Sequence, residues 1–164
     1  MKHRVVFDCM IFLQAASRPT GPAGACVDRA EAGDTELLVS HELLAEARDV
    51  LSRPAVRKKF RTLTDERVAD FLARIDRAAV LVDPVPEAFA LKRDPKDSKY
   101  LNLAIAAGAE LVVSRDNDLL DLMTSDDEEP VAFRTAHPTI RIVDPVEFLR
   151  TFPPSGPPEP TEAS

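Results

Sequence analysis

Apolar positions along this chain fall into two rhythms. The first is a series of short, dense runs. Residues 4–7 (RVVF) are largely β-branched or aromatic and bounded by charge, which predicts a fully buried strand. Residues 36–39 (ELLV), 79–82, 111–113 (LVV) and 140–143 predict four more strands. The second rhythm is helical. Residues 9–12 open a packed first helix, and residues 23–32 predict another that ends near Gly33. Ser40 is placed to cap a helix whose stripe is Leu43, Leu44, Ala47, Val50 and Leu51, with Pro54 breaking it. Val68, Phe71, Leu72 and Ile75 share one face of the next helix, which opens at residues 63–66. Residues 97–107 form a helix stopping at Gly108, and residues 116–123 a short one. Asp144-Pro145-Val146-Glu147 combines a capping Asp, a first-turn Pro and a Glu at the third position, which starts a last helix.

Between these segments the turn formers cluster. Pro19, Gly21, Pro22 and Gly24 mark one loop, and Pro84, Pro86 and Pro95 another. Residues 125–130 (SDDEEP) read as a surface loop. Strand and helix alternate throughout, so the pattern predicts an α/β fold with a mainly parallel central sheet. No internal repeat is visible. A single domain over residues 1–152 is expected, followed by a Pro-rich polar tail, residues 153–164, with nothing to bury and an expectation of disorder.

Bulk properties narrow the picture. A chain of 164 residues suits one domain with one substantial core. Basic residues number 21 against 28 acidic, a net charge of −7. That balance excludes a protein that coats nucleic acid or anionic membrane indiscriminately, but leaves room for metal ions or a local basic patch. Cys9 and Cys26 lack zinc-type spacing and fit a reducing compartment. The N-terminus lacks the pattern of a cleaved leader, and no apolar run approaches membrane-spanning length. The expectation is a soluble cytoplasmic protein.

Candidate chemistry lies in the acids. In open parallel sheets, sites form beyond the carboxyl ends of the strands. Asp8 ends the first predicted strand, and Asp116 follows the fourth in Val112-Val113-Ser114-Arg115-Asp116. Asp97 opens the helix before that fourth strand, and Glu46 sits at the margin of the buried face of the helix after the second. Converging carboxylates repel one another, and a divalent cation relieves the repulsion. An all-oxygen set selects Mg²⁺ or Mn²⁺ over Zn²⁺, and no His/Cys cluster competes. His3, His41 and His137 have no ligand spacing. Such ions serve phosphodiester hydrolysis without a nucleophilic side chain, and no Ser/His/Asp or Cys/His arrangement is recognisable. Structural alternatives stand beside this reading: Asp8, Asp97 and Asp116 all occupy helix-capping positions, and Glu46 could pair at the surface with Arg48 or Arg53.

Val5-Val6-Phe7-Asp8, the segment Ser40 to Glu46 with Val50-Leu51-Ser52-Arg53-Pro54, Asp94-Pro95-Lys96-Asp97-Ser98-Lys99-Tyr100-Leu101, and Val112 through Leu120 together resemble the PIN-domain family, in particular its toxin-like branch from toxin–antitoxin pairs (VapC-like). The resemblance runs from about Lys2 to Phe152. It implies a three-layer α/β/α sandwich and Mg²⁺- or Mn²⁺-dependent RNA cleavage. By motif position, Asp8, Glu46, Asp97 and Asp116 resemble the four catalytic, metal-binding acids. Ser114 resembles the hydroxyl residue before the fourth acid, with Asp118 and Asp94 as accessory acids. An antitoxin protein as partner and a homodimer are also implied. Two positions depart from the family pattern: Met10 replaces the usual Asn after Asp8, and Arg115 replaces a small Gly before Asp116.

Arg53, Arg57, Lys58, Lys59, Arg61 and Arg67 place six cations in fifteen residues of an acidic chain. This cluster, with Arg115, is a candidate RNA-backbone contact. Its alternative is a solvated helix face. With one Tyr and no Trp, recognition by shape and backbone is expected over extensive base stacking. Two competing classes remain. One is a PIN-like binding or regulatory module without catalysis, motivated by Met10. The other is a phosphotransfer receiver domain, which wants an acid pair at the first strand and a lysine after the last, neither of them evident.

Overall fold

Successive residues of a strand point to opposite faces, and in the first strand burial is complete on both. Val5, Val6 and Phe7 of β1 (His3–Phe7) are each 0% exposed, so this strand is covered on two sides by helices. The computed structural model describes residues 2–153, and the expected disordered tail lies, from position 154 on, outside the described residues. The sheet also contains β2 (Thr35–Val39), β3 (Ala79–Leu81), β4 (Leu111–Val113) and β5 (Arg141–Val143). Its order is β3-β2-β1-β4-β5, and every neighbouring pair is parallel. The sheet is therefore wholly rather than mainly parallel, and its C-terminal edge gathers the segments after β1 and β4 at its centre.

Two apolar clusters lie against the sheet. One face presents Val5, Phe7, Leu37, Val39, Leu111 and Val113. It is packed by α1 (Cys9–Ser17), α2 (Pro22–Glu31), α3 (His41–Ser52), α5 (Asp65–Ala78) and α9 (Pro145–Thr151). The other presents Val6, Leu38, Val112 and Ile142 to α6 (Ser98–Ala107), α7 (Asn117–Leu120) and α8 (Glu128–Ala136). The result is the three-layer α/β/α arrangement.

Local chemistry sets the helix starts. Asp8, Ser40, Thr64 and Asp144 each accept a hydrogen bond from the backbone N–H three residues on, at 2.7 to 3.2 Å. Each such cap is worth ~1 kcal/mol. Gly108 ends α6 in the left-handed region at φ 65°, which a residue with a Cβ resists.

Two expectations need correction. Residues 125–130 are not all loop: Glu128 and Glu129 form the first turn of α8, and Pro130 is buried within it. Acidic residues and Pro suit a first helical turn as well as a loop, so composition alone did not separate the two. Pro54 ends α3, but it also opens α4 (Pro54–Lys59), where its fixed φ favours a helix start.

Candidate functional site

Asp8 leaves the sheet at the end of β1 and turns the chain into α1. One of its oxygens takes the Ile11 amide at 3.1 Å, and the other accepts from the Ser114 hydroxyl. Ser114 follows β4 and is 0% exposed. Its oxygen also accepts from the Asp116 backbone N–H at 2.9 Å. One buried hydroxyl thus ties the ends of the two central strands and sets Asp8 beside Asp116. Asp8 is 3% exposed, and burial lifts its carboxyl to about 6 against the pull of Ser114 and Ile11.

Asp97 closes a 3₁₀ turn, Pro95–Asp97, at the head of α6. Its side chain makes no capping bond, so capping does not account for it. It is 9% exposed, and its Oδ2 is buried with no hydrogen-bond partner among the described residues. A bare buried carboxylate is costly. Burial first, then the neighbouring Asp116 carboxylate and the charges of Asp94 and Asp8, push its carboxyl to about 8. Asp94, Asp97, Asp116 and Asp118 each offer an oxygen, and these lie within 4.8 Å of one another. Asp94 folds back onto the Lys96 amide at 3.2 Å, and Asp116 onto the Asp118 amide at 2.8 Å. Two short-range turns thereby bring Asp94 and Asp118, expected as accessory acids, into the same group as Asp97 and Asp116.

Glu46 stands apart from that group. Its carboxylate accepts from the Tyr100 hydroxyl and lies 2.7 Å from the Lys99 ammonium. The Tyr100 oxygen in turn accepts from the Cys9 backbone N–H at 3.2 Å. Glu46 therefore reaches the turn after Asp8 through one side chain, rather than pairing with Arg48 or Arg53 at the surface. Arg53 pairs instead with Asp49 at 2.7 Å, and Arg57 with Asp65 at 2.7 Å. Lys58 and Arg61 are exposed.

Sequence reasoning missed three partners of these acids. Lys99 and Tyr100 hold Glu46, and Arg93 pairs with Asp118 at 2.5 Å and Asp121 at 2.9 Å. The run Lys92-Arg93-Asp94-Pro95-Lys96-Asp97-Ser98-Lys99-Tyr100 interleaves cations with acids, and that interleaving was the available signal. Met10 is 44% exposed and Arg115 is exposed, and both line a cavity whose lining includes none of the carboxylates.

The donor set is all oxygen. Four clustered carboxylates, one with an orphaned buried oxygen, fit a hard divalent cation better than they fit an empty site. No described helix is long and apolar enough to cross a membrane. Comparison with curated proteins returns no match. A match to the PIN domain family runs over residues 4–118, from the first strand through Asp118 of the carboxylate group, and the chain belongs to that family, whose members are generally nucleases.

Proposed function

We propose that the protein is a Mg²⁺- or Mn²⁺-dependent endoribonuclease. The observation that carries this reading is the buried, unpartnered Asp97 oxygen inside a group of four carboxylates at the C-terminal edge of a parallel sheet. Asp97 and Asp116 would hold the cation at the centre of the group, with Asp8 completing the set beside Asp116. Asp94 and Asp118 flank them. A bound divalent ion supplies Lewis-acid stabilisation of a phosphodiester and lowers the pKa of water.

This chain's own residues do the rest. Ser114 fixes the Asp8 carboxylate toward Asp116 and removes its rotational freedom. Lys99 and Tyr100 hold the Glu46 carboxylate in place, so that it would serve as a further ligand or orient the attacking water. Arg93 pairs with Asp118 and would balance part of the group's charge from outside it. Water would attack phosphorus in line and release a 5′-phosphate and a 3′-hydroxyl. In a toxin role, an antitoxin protein would occlude this cleft, and the chain would act in the cytoplasm as a homodimer.

A second reading, a PIN-like module that binds without cleaving, rests on Met10, whose thioether cannot replace an amide in orienting site groups. One experiment separates the two. Adding Mn²⁺ to metal-free protein should raise its melting temperature and switch on RNA cleavage, and Asp97→Asn should abolish both responses. A thermal shift without cleavage of any RNA supports the binding module.

A further inference from the structure

A cavity of about 570 Å³ lies between α1, α2 and the end of α4, and two residues that line it, Met10 and Arg115, stand within two positions of Asp8 and Asp116 in the chain. Its size suits one nucleotide. Met10, Gln14, Arg18, Lys59, Phe60 and Arg115 line it. Three of these are cations, and none of Arg18, Lys59 and Arg115 has a carboxylate within ion-pair distance among the described residues. In a chain of net charge −7, with Arg53, Arg57 and Arg93 all neutralised by acids, three unpaired cations around one concavity mark a place for an anion.

The other walls describe the rest of the ligand. Lys59 Nζ lies over the Phe60 ring, 5.4 Å from its centroid, so a charge and an aromatic side chain share this part of the wall. Met10 adds exposed apolar surface to the lining. The Gln14 amide oxygen is buried with no hydrogen-bond partner among the described residues. α2 starts at Gly21 without a side-chain cap, leaving its first-turn amides unclaimed by any cap. Phosphate, flat base and base-edge hydrogen bonding are the three chemistries of a nucleotide. The position is also apt. Arg115 directly precedes Asp116, and Met10 follows Asp8 by two residues, with consecutive Cα atoms ~3.8 Å apart.

The geometry points to this cavity as the subsite for a nucleotide next to the scissile phosphate. Arg18, Lys59 and Arg115 hold its phosphate, Met10 and Phe60 flank its base, and Gln14 meets the base edge. The inference rests on the nuclease reading for the words "scissile phosphate". Its binding chemistry stands on the cavity alone. Met10 and Arg115, the two departures from the family pattern, thereby gain a shared role as substrate contacts. Of the basic cluster, Lys59 belongs to the subsite, and Arg18, which sequence analysis did not single out, joins it.

The test is fluorescence anisotropy with 5′-fluorescein-labelled oligouridylate and oligoadenylate octamers. The full chain carries Asp116→Asn so that the probe stays intact. Arg18→Gln with Lys59→Gln should weaken binding about tenfold and lower the salt slope by roughly 0.7 for each phosphate contact removed. Gln14→Leu, which places no new charge, should change the ratio of the two affinities by about threefold or more. Thermal melts matching the parent protein show that these variants fold. Unchanged affinity and salt slope overturn the subsite, whether or not the wild-type chain cleaves RNA. Loss of binding in the variants sustains the subsite, even if the wild type fails to cleave RNA with Mn²⁺ and the nuclease reading falls. If a hepta-glutamate peptide binds there and the octamers do not, the occupant is an acidic protein segment and the nucleotide assignment is overturned.

Discussion

Asp97 is the residue on which burial and charge disagree most. Its carboxyl is pushed to about 8, and that of Asp8 to about 6, both from 3.8. A folded-state value above the unfolded one means that the folded chain holds protons the unfolded chain has released. Stability from these groups is full below about pH 4 and is lost as pH rises through 6 and then 8. Metal-free protein should therefore melt at a lower temperature at pH 8 than at pH 5, as far as these two groups decide. A divalent cation reverses the term, so the Mn²⁺-induced rise in Tm should be larger at pH 8. An equal rise at both values would contradict the assignment. Asp97→Asn removes the ionisable group and should raise the metal-free Tm at pH 8, where ~1 kcal/mol corresponds to about 2–4 °C in a chain of this size.

Ser114 supports a second prediction at the same scale. Ser114→Ala strands one Asp8 oxygen without a donor and the Asp116 amide without an acceptor. Each buried loss is worth about 1–3 kcal/mol. Because the hydroxyl orients a ligand, metal affinity should fall by about 10–100-fold, measured by titration calorimetry. A loss of stability with unchanged affinity would reduce Ser114 to a structural role.

At the scale of elements, close approach decides. The position a Cβ would take on Gly24 is 2.0 Å from the Pro19 carbonyl oxygen. That loop forms one end of the cavity, so Gly24→Ala must displace α2 or the loop, at a cost of about 1–3 kcal/mol. Chemical denaturation measures it, and a neutral result would mean that the loop yields freely.

The same scale shows what was legible in the chain. All five strands stood out, β3 included, because buried parallel strands centre on short apolar runs such as Val5-Val6-Phe7 and Leu111-Val112-Val113. Helix starts at Ser40 and Asp144 stood out because a capping side chain acts within three residues. Helix α8 was hidden because its first turn is acidic and contains a Pro, as a loop would. Its one strong signal is Phe133, which is fully buried. The order of the acids was readable, since Asp8 and Asp116 follow strand ends. The convergence of Asp94 and Asp118 was not, because it depends on two turns folding back. Nor was the hold of Lys99 and Tyr100 on Glu46, which joins α6 to α3 across 54 positions.

For the whole molecule, a sheet parallel throughout brings the ends of its central strands to one edge, where Ser114 links them. Four acids, Asp116 among them, gather where the chain leaves β4 and enters α6, and the unpaired cations Arg18, Lys59 and Arg115 line a cavity against α1. On the proposed function, an acidic protein would in this way approach an anionic polymer: a bound cation would neutralise the carboxylates, and the basic cavity would hold the neighbouring phosphate. The central claim is that the carboxylate group hydrolyses RNA through a divalent ion. The most direct measurement incubates a single-stranded RNA with the wild-type chain and with Asp116→Asn, in Mn²⁺ and in EDTA, and maps the ends produced. The account predicts cleavage by the wild type in Mn²⁺ alone, with 5′-phosphate and 3′-hydroxyl ends, and none by the variant. Cleavage of equal extent by Asp116→Asn, or by the wild type in EDTA, would contradict it.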